Sequence, residues 1–268
     1  MTMFKPVGCG DLYYDPVERH LAIEKLVTRD VGQTQLRRYY RFRADRWYGG
    51  ISTADCAGCG LMCKFCWVSD RALYRPSEVG HFYAPREIAS RLLSIANKKG
   101  LRQLRVSGGE PTIGRTHLLQ LMDELTSMRG YTFILETNGI LIGKDYSYAV
   151  ELSKYPFLRV RVSIKGCDEH EFSQLTGAKP ESFQLQLKAL ENLVKAHVNC
   201  HPAVMTSFSP NEGVKKLSDE ISTIDRRLTA QLEIEELILY PQVVSRLQRF
   251  RLIPRGGYRP DRVPPERV

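Results

Sequence analysis

From Gly50 onward, apolar and polar positions fall into one repeating unit. A short apolar run with the period of a strand is followed by a longer stretch with the period of an amphipathic helix. Strands are expected at 50–53, 101–107, 131–136, 158–164, 200–207 and 232–240. Helices are expected over 85–99, 116–128, 146–154, 181–196 and 213–224, the first with Ile88, Leu92, Leu93 and Ala96 on one face. Strands that alternate with helices imply parallel pairing through right-handed crossovers. Six strands are too few to close an ordinary eight-stranded barrel, so the expected fold is α/β, a partial (β/α)6 TIM-type barrel over residues 49–241. Reactive residues should gather where its strands end. Residues 1–48 are expected to be an N-terminal cap. In it Asp15-Pro16 has the form of an N-cap followed by proline at the first helical position, and Leu21, Ala22 and Leu26 make a helix stripe. Tyr39 to Arg43 alternate aromatic and basic residues, the pattern of an exposed strand. Residues 242–268, with Pro254, Pro260, Pro264 and Pro265, show neither period and are expected to form an extended basic arm.

The cysteines change this picture from fold to chemistry. There are seven, and four crowd into Cys56 to Cys66, a pattern foreign to a disulfide framework and suited to a metal in a reducing compartment. Cys59, Cys63 and Cys66 read C-x3-C-x2-C directly after the first expected strand. Three thiolates from one tight loop can serve three irons of a cubane and leave the fourth iron open to a small molecule. A zinc knuckle could use Cys56-x2-Cys59 with Cys63-x2-Cys66, although such pairs normally stand about 12–20 residues apart. A ferredoxin-like site could take Cys56 as its fourth ligand.

The cysteine loop, with Phe65 before its last cysteine, resembles that of the radical S-adenosylmethionine (SAM) superfamily. The resemblance runs from about Ile51 to Tyr240, with Gly108-Gly109-Glu110 after the second strand and Thr137-Asn138-Gly139 after the third. It implies one 4Fe–4S cluster on Cys59, Cys63 and Cys66, with S-adenosylmethionine chelating the open iron. It further implies reductive cleavage of that cofactor to a 5′-deoxyadenosyl radical that abstracts a hydrogen atom. A one-electron donor of flavodoxin or ferredoxin type is the implied partner.

The same resemblance nominates the cofactor contacts. Phe65 belongs to the cluster loop. Gly108 and Gly109 let the backbone approach a ligand closely, and Glu110 is available to balance the methionyl amine. Asn138 is expected beside the methionyl or ribose part. On the fourth strand Ser163 stands where glycyl-radical activases carry an acid two before a lysine, and Ser163 and Lys165 are candidates for the cofactor's hydroxyls and carboxylate. Alternation puts Arg161, Ser163 and Lys165 on one face of that strand. His201, Val204, Met205 and Tyr240 border the expected site. Cys167 and Cys200 lack a spacing partner and read as structural, Cys9 is unassigned, and no residue is singled out as catalytic.

The 268 residues are 43% hydrophobic and carry a net charge of +9. Five arginines against Asp45 in 37–46, and seven against Asp261 and Glu266 in 246–268, account for that whole excess. Such basic segments fit an acidic partner, tRNA included, or a solvated surface. No apolar run approaches the roughly 20 residues of a membrane span, and Met1 to Gly10 does not read as a secretory signal, so a cytoplasmic protein without membrane attachment is expected. One cysteine group argues against enzymes with a second cluster. The substrate classes in play are a protein or peptide (activase-like), a tRNA and a small biosynthetic molecule, with a non-catalytic metal-binding protein as the alternative.

Overall fold

The computed structural model describes residues 13–264. Helix α1 (Pro16–Val27) opens them, capped by the Asp15 carboxylate, which accepts from the amides of Val17 and Glu18 at 2.9 and 3.2 Å. A hairpin of β1 (Thr28–Val31) and β2 (Thr34–Asp45) leads to β3 (Ile51–Cys56), a short helix α2 (Asp70–Tyr74) and β4 (His81–Tyr83). The repeating part then runs α3 (Pro85–Lys99), β5 (Gln103–Gly108), α4 (Arg115–Leu125) and β6 (Thr132–Thr137). Next come α5 (Ile140–Lys144), α6 (Tyr146–Leu152), β7 (Leu158–Lys165), α7 (Glu169–Thr176) and α8 (Phe183–Lys195). The chain continues through β8 (Cys200–Met205), α9 (Asn211–Ile224), α10 (Arg226–Ala230), β9 (Glu233–Glu235) and α11 (Pro241–Phe250).

Strands β3, β5, β6, β7, β8 and β9 lie side by side in chain order, all parallel. The sheet stays open, ending at β1 on one side and β9 on the other, so the partial (β/α)6 barrel expected from the periodicity is present. Its outward face is apolar. Leu104, Val106, Phe133, Leu135, Val160, Val162 and Ile164 are almost wholly buried there, each contributing about 1.5–3 kcal/mol. The inward face carries the alternate residues, among them Thr53, Asp55, Arg105, Ser107, Glu136, Arg161, Ser163 and Lys165.

Four local expectations need correction. The first is the strand around Tyr39, which is not exposed: β2 pairs with β3 from Tyr39 to Asp45, and Tyr39 packs at 2% exposure beside Phe42, Tyr83 and His117. A bulge between Tyr39 and Arg41 shifts the alternation, so Tyr39 and Phe42 both face the core and the aromatic–basic pattern no longer reports exposure. The second is the arm after Pro241, which begins as the helix α11, with Pro241 at its first turn and Val243, Arg246 and Leu247 buried. Its helical period was hidden because an arginine occupies the buried face. The third is the sixth strand, which pairs with β8 only over Glu233–Glu235. Beyond it Ile238 bridges to Tyr258 instead. The fourth concerns short helices: α5, α7 and α10 were not anticipated, being only 5–8 residues long, too short for a periodicity signal.

Candidate active site

The cysteine loop runs from β3 to α2, and distant elements fix it at almost every step. The amide of Ala57 donates to the Arg38 carbonyl at 3.0 Å, Met62 to the Tyr14 hydroxyl at 2.9 Å, and Lys64 to the Leu175 carbonyl at 2.8 Å. From α11, Arg246 reaches the carbonyls of Cys66 and Val68 and the carboxylate of Asp70, with no exposed side-chain surface. His20 of α1 lies directly on Gly60, where any Cβ would overlap its ring.

Within this frame Cys59, Cys63 and Cys66 lie close enough for their charges to act on one another. Burial pushes the Cys63 thiol up to about 12 against the pull of Lys165, with Cys66 adding to the rise. Burial also raises Cys59 well above the ordinary thiol range, helped by Glu110, Cys63 and Cys66, while Arg246 and Lys165 draw Cys66 back down. Cys56 is fully buried and sits apart: burial raises it to about 11, and the charges acting most strongly on it are those of Arg37, Glu110 and Asp55. Among the described residues no three His, Cys, Asp or Glu side chains converge on a single-ion site. A cubane asks for a different arrangement, in which each thiolate meets its own iron. Three soft donors on one loop, with Lys165 and Arg246 near enough to offset thiolate charge, fit a 4Fe–4S cluster with one open iron. Cys9 lies outside the described residues.

The Gly-Gly turn closes against this loop. The amides of Gly109 and Glu110 donate to the carbonyls of Cys56 and Gly58, both at 2.7 Å. Gly108 has φ +90°, and a Cβ on Gly109 would overlap the Gly58 carbonyl. The glycines are thus required first by the close approach of two backbones. Gly109→Ala should lose most of its cluster, since backbone on backbone cannot yield by a rotamer change; iron per chain after desalting measures it.

The Glu110 side chain turns inward. It accepts from the Thr112 amide and hydroxyl at 3.0 and 2.6 Å, the Thr137 hydroxyl at 2.7 Å and the Asn138 amide at 2.8 Å. Its carboxylate therefore ties the β5 turn to the β6 turn, which leaves the backbone of the turn to meet an amine. Asn138 is likewise engaged, with its carboxamide nitrogen 3.2 Å from His20 Nε2 and 3.7 Å from Cys59 Sγ. Gln186 completes this knot: its Nε2 donates to the carbonyls of Asn138 and Ser163, and its Oε1 accepts from the Lys165 amide. Neither His20 nor Gln186 stands in a motif, and only their burial in the fold reveals them.

The remaining candidates line the inward face. Phe65 is buried, 5.5 Å from the Phe208 ring, and Lys165 Nζ lies 5.9 Å from Phe65 and 3.8 Å from Glu235. Ser163 accepts from Arg161 at 2.8 Å, and Arg161 pairs with Glu233 at 2.6 Å and Glu235 at 3.4 Å. His201 joins the group, 3.4 Å from Glu233. Val204 and Met205 are buried in the core, and Tyr240 precedes α11 as its N-cap. Toward β3, Arg105 bridges Asp45 and Glu136, both at 2.9 Å, and Arg41 and Arg43 share Asp55. The result is a belt in which Arg41, Arg43, Arg105, Arg161 and Lys165 are matched by Asp45, Asp55, Glu136, Glu233 and Glu235.

Burial alone would raise the Glu136 carboxyl, but Arg105 and Arg161, with the Tyr48 and Ser107 hydroxyls, hold it at about 2. A depressed carboxyl contributes stability above its unfolded value near 4.5 and loses it as pH falls toward 2. Glu136→Gln should flatten the fall of unfolding free energy across that window, as read by denaturant melts at stepped pH.

Much of the basic excess is spent inside the protein. Arg37 is buried and donates to the carbonyls of Val27, Glu110 and Ile113, and Arg38 donates to those of Val79 and Gly80. With Arg41 and Arg43 on Asp55 and Arg246 on the cysteine loop, only part of the two basic segments remains free to meet a partner.

A model of the radical SAM superfamily matches residues 55–217. The chain is 31% identical over 132 residues to the GTP 3′,8-cyclase of Mesorhizobium japonicum, covering 48% of this chain and 37% of that protein. It is 28% identical over 188 residues to the probable GTP 3′,8-cyclase of Methanosarcina acetivorans, covering 69% and 54%. It thus spans about a third to a half of the length of the curated relatives it matches. Among solved structures, a spore photoproduct lyase variant aligns with TM-score 0.58 and 14% identity, over 81% of this chain and 65% of that one. SuiB of Streptococcus suis, bound to precursor peptide SuiA, aligns with TM-score 0.54 and 19% identity, over 72% and 42%. At these identities the structural likenesses show a shared fold.

Proposed function

The chain belongs to the radical SAM superfamily, and from that premise we propose that it abstracts a hydrogen atom from a peptide or protein substrate held against the polar inner face of its open barrel. Enzymes of this family use a 4Fe–4S cluster, S-adenosylmethionine and a one-electron donor. Bound here, those groups supply reductive cleavage of the sulfonium to methionine and a 5′-deoxyadenosyl radical, the species that takes the hydrogen atom. Cys59, Cys63 and Cys66 would hold the cluster. The backbone carbonyls of the Gly108–Gly109 turn would accept from the methionyl amine. Lys165, beside Phe65, supplies a cation for the carboxylate, and Ser163 a hydroxyl for the sugar edge. Contacts from α1, α7 and α11 hold the cysteine loop and leave Cys63 buried within it.

The observation that carries the substrate class is the charge-matched belt. Its four arginines, Arg41, Arg43, Arg105 and Arg161, are each paired with a carboxylate, so apart from Lys165, which this reading gives to the cofactor, the belt has no surplus positive charge to receive a triphosphate. A peptide, which presents neutral amide donors and acceptors, suits such a surface better.

The test is direct. Anaerobically reconstituted protein should contain a 4Fe–4S complement and release 5′-deoxyadenosine when chemically reduced with S-adenosylmethionine. One zinc and no sulfide would end the radical reading. GTP deuterated at C3′ should pass no label to 5′-deoxyadenosine; label transfer would overturn the peptide assignment and leave the cluster chemistry standing. No helix among the described residues is long and apolar enough to cross a membrane.

A further inference from the structure

We propose that His20 and Asn138 form a positioning relay that directs an N–H at the Cys59 sulfur and raises the reduction potential of the cluster. The inference rests on the cluster reading above and adds to it a residue from outside the family-matched segment.

The hydrogen bonds allow one arrangement. His20 is 1% exposed, and its Nδ1 lies 2.5 Å from the Pro16 carbonyl, one turn earlier on α1. A carbonyl only accepts, so Nδ1 carries the proton and Nε2 is left as an acceptor. Asn138, 6% exposed, places its carboxamide nitrogen 3.2 Å from that Nε2. Its Oδ1 accepts from the Ile140 amide at 3.0 Å, which fixes the orientation of the carboxamide. One N–H of Asn138 therefore points at His20, and the other is free for Cys59 Sγ at 3.7 Å. Donors aimed at cluster sulfur stabilise the extra negative charge of the reduced state.

The surrounding backbone preserves this alignment. Gly60, one residue after Cys59, is the only residue type that leaves room for the His20 ring. Gln186 anchors the Asn138 carbonyl at 2.6 Å, and Glu110 anchors its amide at 2.8 Å. In this geometry the Asn138 side chain serves the cluster ligand, where the motif resemblance had assigned it to the cofactor.

The experiment is an electron-paramagnetic-resonance redox titration of the reconstituted protein without S-adenosylmethionine. His20→Phe keeps a flat ring against Gly60 and removes both nitrogens; Asn138→Leu removes the donor itself. Each should load the cluster and make it harder to reduce by about tenfold, which is about 59 mV for a one-electron couple. His20→Phe should add nothing in the Asn138→Leu background, because the relay is already broken. His20→Gln, which retains a donor and an acceptor, should recover most of the wild-type potential. Wild-type potentials in both single variants overturn the relay, as does an equal His20→Phe shift in both backgrounds. If His20→Phe does not fold, an unchanged potential in Asn138→Leu overturns it alone. A wild-type protein that takes up no iron and sulfide defeats the cluster reading itself, a distinct outcome.

Discussion

Cys63→Ala should abolish both cluster binding and 5′-deoxyadenosine formation, leaving the protein folded. Cys63 lies between the other two ligands, at 7% exposure, and its amide neighbour Lys64 is tied to α7. Without its thiolate the loop offers two donors to a cluster that needs three from the protein. Iron and sulfide content, with chromatographic detection of 5′-deoxyadenosine, measure the loss. Persistent product from this variant would refute the assignment. Cys56→Ala is the control: it removes a buried thiol from the core beside Arg37 and Asp55, so it should cost packing energy and keep the cluster.

Arg246→Ala should have the next largest effect. The side chain has no exposed surface and holds two loop carbonyls and Asp70. Asp70 is 42% exposed and is rehydrated when the pair is broken, so the main cost is the buried carbonyls left without a donor, about 1–3 kcal/mol each. The carbonyls of Cys66 and Val68 lose their donor in the same step, so iron retention should fall along with the denaturation midpoint. Unchanged stability and unchanged iron would show that α11 does not latch the loop. Any truncation meant to probe the basic tail for nucleic-acid binding has to begin beyond Arg246, since a cut at that residue also unlatches the cysteines.

Those two residues show what was legible in the chain and what was not. Cys63 could be nominated without a structure, because three thiolates offered to one cluster from one tight loop have to lie within a few residues of one another. The strand–helix repeat was legible for a similar reason: the outward faces of β5, β6 and β7 bury their alternate apolar residues, and that alternation is local. Arg246 could not be found this way. Its charge read as a feature of the surface, yet it is the buried side of α11, paired with a carboxylate about a whole domain away in sequence. Tyr39 was misplaced because one bulged residue reverses the inside and outside of everything that follows it.

The motif residues divide along the same line. Gly108 and Gly109 were expected to let the backbone approach a ligand, and the close approach they make in the fold is to the cysteine loop. Glu110 and Asn138 were expected at the cofactor, and their side chains are committed to Thr112, Thr137, His20 and Cys59. The sequence by itself determined the parallel order of six strands and the superfamily, and it nominated the cluster ligands, since each is written in short-range spacing or in a period that local burial enforces. Only the tertiary structure decided where the side chains beyond the cysteine loop point, which arginines are free, and which residue of α1 meets the Asn138 carboxamide beside Cys59. Those outcomes depend on hydrogen bonds between elements far apart in the chain, and no local pattern encodes which buried donor will find which acceptor.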